Sequence, residues 1–309
     1  MDRLPASTPV ARAAPAPLRR SPRAGDVVEL AKPVTWFPPM WAYVCGVVSA
    51  GVAFGDRWDV LLVGVLLTGP LVCGTGQMVN DWYDRHVDAI NEPARPIPSG
   101  RIPGQWGLGL AIAGTLLSLA VSALLGPAVV VATLVGLAIA WAYSAPPLRL
   151  KRSGLWGPLA CAFAYEGLTW FTGAAVMLGT FPPWPILLVA TLYALGAFGI
   201  MTLNDFKAVE GDRQMGIDSL PVVLGVGRAA RLACAVMLLA QLAVIALLLA
   251  WSLWLSAAIV AGLVLGQLLA MRRLVRNPAA QAPWYNGAGV SLYVLGMLVT
   301  AFGLRGFVA

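Results

Sequence analysis

Residues 79–99 read VNDWYDRHVDAINEPARPIPS, and residues 203–212 read LNDFKAVEGD. Each stretch opens apolar–Asn–Asp–aromatic, and each gathers carboxylates in a chain that carries few charges elsewhere. The first holds Asn80, Asp81, Asp84 and Asp88, and the second holds Asn204, Asp205 and Asp212, with Glu210 between them. At about 100° per residue, a helix through Asn80, Asp81, Asp84 and Asp88 projects them within one sector. A continued helix does the same for Asn204, Asp205 and Asp212, and turns Glu210 elsewhere. Like charges at these spacings repel, so an uncompensated stripe costs stability. A solvated charged face accounts for one such stripe and does not explain why two segments repeat it. A divalent cation removes the penalty, and oxygen ligands without a Cys or His cluster favour Mg²⁺ over zinc. Mg²⁺ commonly shares its shell with substrate phosphates. Candidate partners for those phosphates are Arg95, Lys207 and Arg213 beside the acids, and Arg149 and Lys151 in YSAPPLRLKRSG (143–154). Guanidinium groups meet phosphate bidentately, whereas lysine acts as a point charge.

The elements that must position these residues are membrane helices. The chain is 59% apolar and 11% charged, against about 25% charged in soluble domains. Nine apolar runs reach a bilayer-crossing length: 35–55, 59–79, 106–125, 127–144, 155–178, 184–203, 229–250, 252–271 and 287–306. Spans three and four meet at Gly126 and Pro127, which predicts a tight hairpin, and spans seven and eight turn near Trp251. Basic residues concentrate in the amino-terminal tail and four loops, while the other side holds Arg57 and Arg305. By the positive-inside rule the amino terminus and those loops are cytoplasmic. The formal charge of +7 therefore reflects topology, and no nucleic-acid partner is expected. Residues 1–32, rich in Pro, Ala and Arg with no apolar signal core, read as a disordered cytoplasmic tail. The transmembrane domain then spans 33–309. Cys45, Cys73, Cys161 and Cys234 lie in apolar stretches without CxxC spacing and read as buried small hydrophobes. Four spans separate the two acidic segments, so both emerge on one face, as in a weak parallel repeat with a site between its halves.

The paired NDxxD-like segments after spans two and six resemble the UbiA-type membrane prenyltransferase superfamily over roughly residues 30–309. The first segment fits the pattern NDxxDxxxD fully. The second has Ala208 where many members carry a further aspartate. NDWYDRHVDAINEPARPIPSGRI, YSAPPLRLKRSG and NDFKAVEGDRQMGIDSLPVVLG resemble the superfamily's chlorophyll and bacteriochlorophyll synthase branch. PVTWFPPMWAYVCGVVS (33–49) and AYEGLTWFTGAA (164–175) are closer to the bacteriochlorophyll side of it.

The resemblance implies an all-α bundle of about nine spans. It also implies transfer of a C20 isoprenoid, geranylgeranyl or phytyl, from its diphosphate to the propionate of bacteriochlorophyllide a. Asp81, Asp84, Asp88, Asp205 and Asp212 would hold Mg²⁺, with Asn80 and Asn204 beside them. A propionate is ionised near neutral pH, so no strong general base is needed, consistent with a single histidine, His86. Tyr143, at the end of span four, is a candidate to stabilise carbocation character at C1, or an interfacial anchor. A macrocycle pocket draws in Trp36, Phe37, Trp41, Tyr165 and Trp170. Glu166, an acid within a span, is costly to place and is a candidate pigment contact. The implied address is a bacterial inner or intracytoplasmic membrane with the site facing the cytoplasm. Other pigment-biosynthesis and light-harvesting assembly proteins are possible partners. A chlorophyll synthase, prenyl transfer to a quinone precursor or haem, a cation-coupled transporter and a pigment carrier are the competing readings. Transporters usually bind near mid-membrane, whereas these carboxylates lie at one mouth.

Overall fold

The computed structural model describes residues 21–55 and 57–308. The expectation for residues 1–20 lies outside the described residues. Among the described residues the chain is helical, with one isolated bridge between Ser153 and Asp218.

The first element corrects the expected tail. Helix α1 (Ala24–Leu30) falls inside the 1–32 stretch, and Leu30 and Ala31 are buried. Arg101 anchors it through Asp26 at 2.9 Å and Glu29 at 2.5 Å. A one-turn apolar patch flanked by acids is too short to register against the Pro- and Arg-rich composition around it. Helix α2 (Phe37–Ser49) follows, with proline in its first turn, where the missing N–H costs nothing.

Helix α3 (Trp58–Leu66) passes through a π turn, Leu67–Cys73, into α4 (Gly74–Asn91). Pro70 lies in the π turn; it has no N–H to donate and its ring crowds the preceding turn, which suits the wider winding. Helices α5 (Trp106–Leu125) and α6 (Pro127–Ser144) form the expected hairpin. Gly126 sits at φ +113°, where an L side chain would be strained. Helix α7 (Trp156–Ala162) enters a second π turn, Phe163–Gly167, and continues as α8 (Leu168–Leu178). Helix α9 (Trp184–Asn204) ends at the second acidic segment. Two short helices follow, α10 (Val209–Gln214) and α11 (Leu220–Leu224). Three long ones complete the chain: α12 (Val226–Ala250), α13 (Trp254–Arg276) and α14 (Pro278–Val308).

Seven of the described helices are long and apolar enough to cross a membrane, and the chain is a multi-pass membrane protein. The two other expected spans, 35–55 and 155–178, are helical over Phe37–Ser49 and from Trp156 to Leu178, and are not among those seven.

Lipid offers no hydrophobic drive between helices, so close backbone approach and van der Waals contact hold the bundle. Helices α2 and α8 show this. A Cβ on Gly46 would overlap the Trp170 carbonyl, and one on Gly173 would overlap the Tyr43 carbonyl. Trp170 is fully buried, stacks on Tyr193 at 5.6 Å and donates its Nε1–H to Ser49 Oγ at 3.0 Å. Helix α9 packs along α12, and α13 along α14. Leu116, Leu124, Leu239, Leu255, Leu265 and Leu269 stay exposed on the outside, as lipid-facing positions do.

Candidate active site

A cavity of about 1050 Å³ opens between α4, α6, the second π turn and the segment after α9. Its bore is lined by apolar and small residues, among them Val72, Gly136, Ile139, Ala140 and Leu168. Its mouth is lined by Asn80, Asp84 and Asp88 on one side and by Asn204, Asp205 and Asp212 on the other. Two acidic walls of one cavity are what the repeated segments led one to expect.

The walls are built differently. Helix α4 is unbroken through Asp88 and presents the first acids at helical spacing. The second helix stops at Asn204; Asp205–Lys207 is a 3₁₀ turn, and α10 starts afresh at Val209. The single continued helix expected there is corrected. Val209 and Gly211 are poor helix formers. The break still leaves Asp205 and Asp212 lining the cavity.

Asp81 departs from the expected stripe. It is 1% exposed and does not line the cavity. One oxygen takes a bond from Lys32 at 2.6 Å and lies 3.6 Å from Arg95. Its other oxygen has no hydrogen-bond partner among the described residues. Asp81 therefore faces the α1 side of α4 and holds two cations in place. Lys32 escaped the sequence reading because it sat in the expected tail; its left-handed backbone (φ 48°) carries no sequence signal in a lysine.

Cations stand on the first wall. Lys151 donates to Asp84, and the Arg149 guanidinium lies 3.8 Å from the same carboxylate. Arg95 bonds Asp88 at 2.8 Å and Glu92 at 2.6 Å. Asn80 donates to Asp84 at 3.1 Å and to Ser144 at 3.2 Å. Burial pulls the Lys151 ammonium below its ordinary range, partly offset by Asp84. Burial also opposes charge on Arg95, but Asp81 and Asp88 outweigh it and the guanidinium is held more firmly protonated.

The second wall carries less compensation. Asp212 is buried, and burial pushes its carboxyl up. Neither Asp205 nor Asp212 has an ion pair among the described residues. Lys207 lines the mouth, while Arg213 is exposed, pairs with Glu210 at 3.1 Å and does not line the cavity. Asn204 accepts a bond from Asn286 at 2.9 Å, a partner the sequence did not suggest. The basic loop is tied to this wall: the Gly154 N–H donates to the Asp218 carbonyl at 2.8 Å, and the Asp218 N–H to the Arg152 carbonyl at 3.2 Å. A Cβ on Gly154 would overlap that Asp218 carbonyl.

Among the described residues no three His, Cys, Asp or Glu side chains form a ready cage for a metal. The donor set is nonetheless all oxygen, and Asp212 is a buried carboxylate without a cation. Such a set fits Mg²⁺, which keeps waters and shares its shell with phosphates rather than needing a full protein cage.

Below the mouth, Tyr143 lies against Cys161, and deeper in the bore Tyr165 faces Cys73 and Gln77. Of the six residues expected at a pigment pocket, Tyr165 lines the cavity. Trp36 donates to the Ala31 carbonyl at 2.8 Å, Trp41 to the Val294 carbonyl at 2.9 Å, and Phe37 points outward. Trp170 is a core side chain, and Glu166 is buried beside the cavity with one oxygen unpartnered among the described residues. His86 is exposed on α4. All four cysteines are free; Cys73 and Cys161 line the cavity rather than serving as filler alone.

The chain is 59% identical over 288 residues to the bacteriochlorophyll synthase 33 kDa chain of Cereibacter sphaeroides, covering 93% of this chain and 95% of that one. It is 59% identical over 295 residues to the protein of the same name from Rhodobacter capsulatus, covering 94% and 97%. The fold is similar to that of a UbiA homolog from Archaeoglobus fulgidus bound to GPP and Mg²⁺, with a TM-score of 0.62 at 19% identity, covering 91% of this chain and 98% of that one. Residues 37–300 match the UbiA prenyltransferase family. That match takes in both acidic walls, the basic loop and the bore between them, so the chain belongs to the UbiA prenyltransferase family.

Proposed function

We propose that this protein transfers a C20 isoprenoid, geranylgeranyl or phytyl, from its diphosphate to the propionate carboxylate of bacteriochlorophyllide a. The products are the bacteriochlorophyll ester and diphosphate. The observation that carries the chemistry is the single cavity with two acidic walls and a cationic rim at its mouth and an apolar bore beneath. The choice of acceptor rests on near-full-length similarity to two bacteriochlorophyll synthases. The reaction belongs in a bacterial inner or intracytoplasmic membrane, with the mouth toward the cytoplasm, where the positive-inside pattern puts the basic loops.

Both substrates are largely apolar, so both reach the bore from the bilayer. Asp84, Asp88, Asp205 and Asp212, with Asn80 and Asn204, would hold Mg²⁺ at the mouth. The chemistry supplied by bound Mg²⁺ is neutralisation of charge on the departing diphosphate. Lys151, Arg149, Arg95 and Lys207 line the same mouth and bind the phosphate oxygens directly, where their charge counts most as the leaving group gains charge. Asp81 has no place among the ligands; it positions Arg95 and Lys32. The nucleophile is the ionised propionate, so no residue removes a proton. The carboxylate oxygen bonds to C1, and the C1–O bond breaks with its electron pair leaving on diphosphate. Tyr143 lines the cavity between mouth and bore, where its ring face is available to positive charge at C1. The bore excludes water, which would otherwise capture C1 as the alcohol.

The test is an acceptor competition. Purified protein receives Mg²⁺, labelled geranylgeranyl diphosphate and an equimolar mixture of bacteriochlorophyllide a, chlorophyllide a, haem and a quinone precursor. Label is expected in the bacteriochlorophyllide ester ahead of the others. Label in the quinone or haem product instead would overturn the assignment.

A further inference from the structure

The two π turns of the described chain meet across the cavity. Leu67–Cys73 brings Cys73 inward, and Phe163–Gly167 brings Tyr165 inward. π turns inside α-helices recur at functional sites because they re-aim a side chain without ending the helix. Here they set the Cys73 thiol 3.5 Å from the Tyr165 hydroxyl, and Gln77 of α4 donates its amide to that hydroxyl at 3.1 Å.

The Tyr165 hydroxyl has a strong donor beside it and only sulfur to donate to among the described residues. A phenol has one hydrogen to donate and lone pairs to accept. Gln77 Nε2 donates to the Tyr165 hydroxyl, while the Cys73 thiol, with its one hydrogen, lies 3.5 Å from both that hydroxyl and the Thr35 carbonyl. With the thiol hydrogen on the Thr35 carbonyl, the Tyr165 O–H meets the Cys73 sulfur, a weak acceptor, and the residue lines the cavity. A phenol that accepts on one side donates more strongly on the other. An oxygen acceptor in the bore therefore takes that hydrogen in preference to the sulfur.

Depth says what that occupant is. Gln77 lies seven residues before Asp84 on an unbroken helix, a drop of about 10 Å from the first carboxylate of the mouth. A diphosphate held at the mouth spends that distance on its phosphates and ester oxygen. The Tyr165 level is then where C1 ends and the attacking oxygen must arrive. A prenyl chain offers nothing there to accept a hydrogen bond; a carboxylate does.

We propose that Tyr165 donates its hydroxyl hydrogen to one oxygen of the acceptor's carboxylate, leaving the other oxygen to face C1. Gln77 and Cys73 orient the phenol for this. The inference rests on the prenyl-transfer reading above and adds how the nucleophile is held. The phenol keeps its proton throughout: one carbon–oxygen bond forms, one breaks, and diphosphate carries off the electron pair.

Binding separates this from a structural role. Full-length wild-type protein and Tyr165→Phe, which keeps the ring, are titrated with bacteriochlorophyllide and with its propionate methyl ester, by pigment absorption and without prenyl diphosphate. Wild type is expected to prefer the acid. Tyr165→Phe is expected to weaken acid binding about tenfold or more, the range of a hydrogen bond to a charged group, and to bind the ester as wild type does. In turnover, the KM for pigment rises while that for geranylgeranyl diphosphate holds. Unchanged acid binding in Tyr165→Phe overturns the proposal. Equal losses for acid and ester also overturn it, because they assign Tyr165 to the shape of the pocket. If folded wild type bound neither pigment, the acceptor reading itself would fall; wild-type binding with an unaffected variant removes this inference alone.

Discussion

Asp81 and Asp84 stand three residues apart on α4 and do different work. Asp84 lines the cavity against Lys151 and Asn80, so Asp84→Asn removes charge where diphosphate must be met. Turnover is expected to fall about 10²–10³-fold, the range for a lost electrostatic contact in an active site, a larger effect than the stability lost with the Lys151 contact. Asp81→Asn should show the reverse balance. Lys32 and Arg95 lose the carboxylate between them, and the cost is about 1–2 kcal/mol because both cations are partly solvated. A clear drop in melting temperature with a smaller loss of rate is expected in thermal unfolding and turnover of that variant. A fall of 10²-fold or more with an intact melting temperature would put Asp81 back among the metal ligands. Asp212 adds a pH dependence. Burial raises its carboxyl pKa, so its contribution to metal-free stability is present below the ordinary carboxylate range and is lost as pH rises through the raised value. Mg²⁺ binds the ionised form, so the Mg²⁺-induced rise in melting temperature is expected to grow across that window. A rise independent of pH in wild type, or one kept in Asp212→Asn, would remove Asp212 from the ligands.

The helices hold these residues through close backbone contact. Gly46→Ala must part α2 from α8, since the obstructing atoms are the Trp170 carbonyl and its neighbours rather than a flexible tip. Overpacking of this kind costs about 1–3 kcal/mol and is expected to appear as reduced thermal stability in detergent; an unchanged melting temperature would show that the crossing is loose. Much at this scale was legible in sequence. The Gly126–Pro127 hairpin, the long apolar helices and the continuous acidic helix of α4 follow from apolar run length and turn chemistry. The break after Asn204 was not, because periodicity alone extends a helix through LNDFKAVEGD, and Val209 and Gly211 weaken it only slightly. Helix α1 was hidden by composition. The π turns were hidden because an apolar run reads the same whichever way it winds. Pairings such as Lys32 with Asp81 and Arg95 with both Asp81 and Asp88 depend on which side of α4 faces which neighbour, and spacing within one segment does not reveal that.

The whole molecule puts polar chemistry at one end of a largely apolar cavity. The two acidic walls come from distant parts of the chain, and the bridge between Ser153 and Asp218 ties the basic loop to the second wall. Lys151 thus spans the walls: it contacts Asp84 of the first from a loop fastened to the second. This arrangement calls for alkyl transfer, with the carboxylate oxygen attacking carbon and the mouth taking the diphosphate. The oxygen that leaves with diphosphate and the oxygen that enters the ester are then different atoms. The most direct test gives purified protein Mg²⁺, bacteriochlorophyllide a and geranylgeranyl diphosphate carrying ¹⁸O between C1 and phosphorus. The expected result is unlabelled pigment ester with all the ¹⁸O in released diphosphate; ¹⁸O in the ester, or no ester at all, would contradict it.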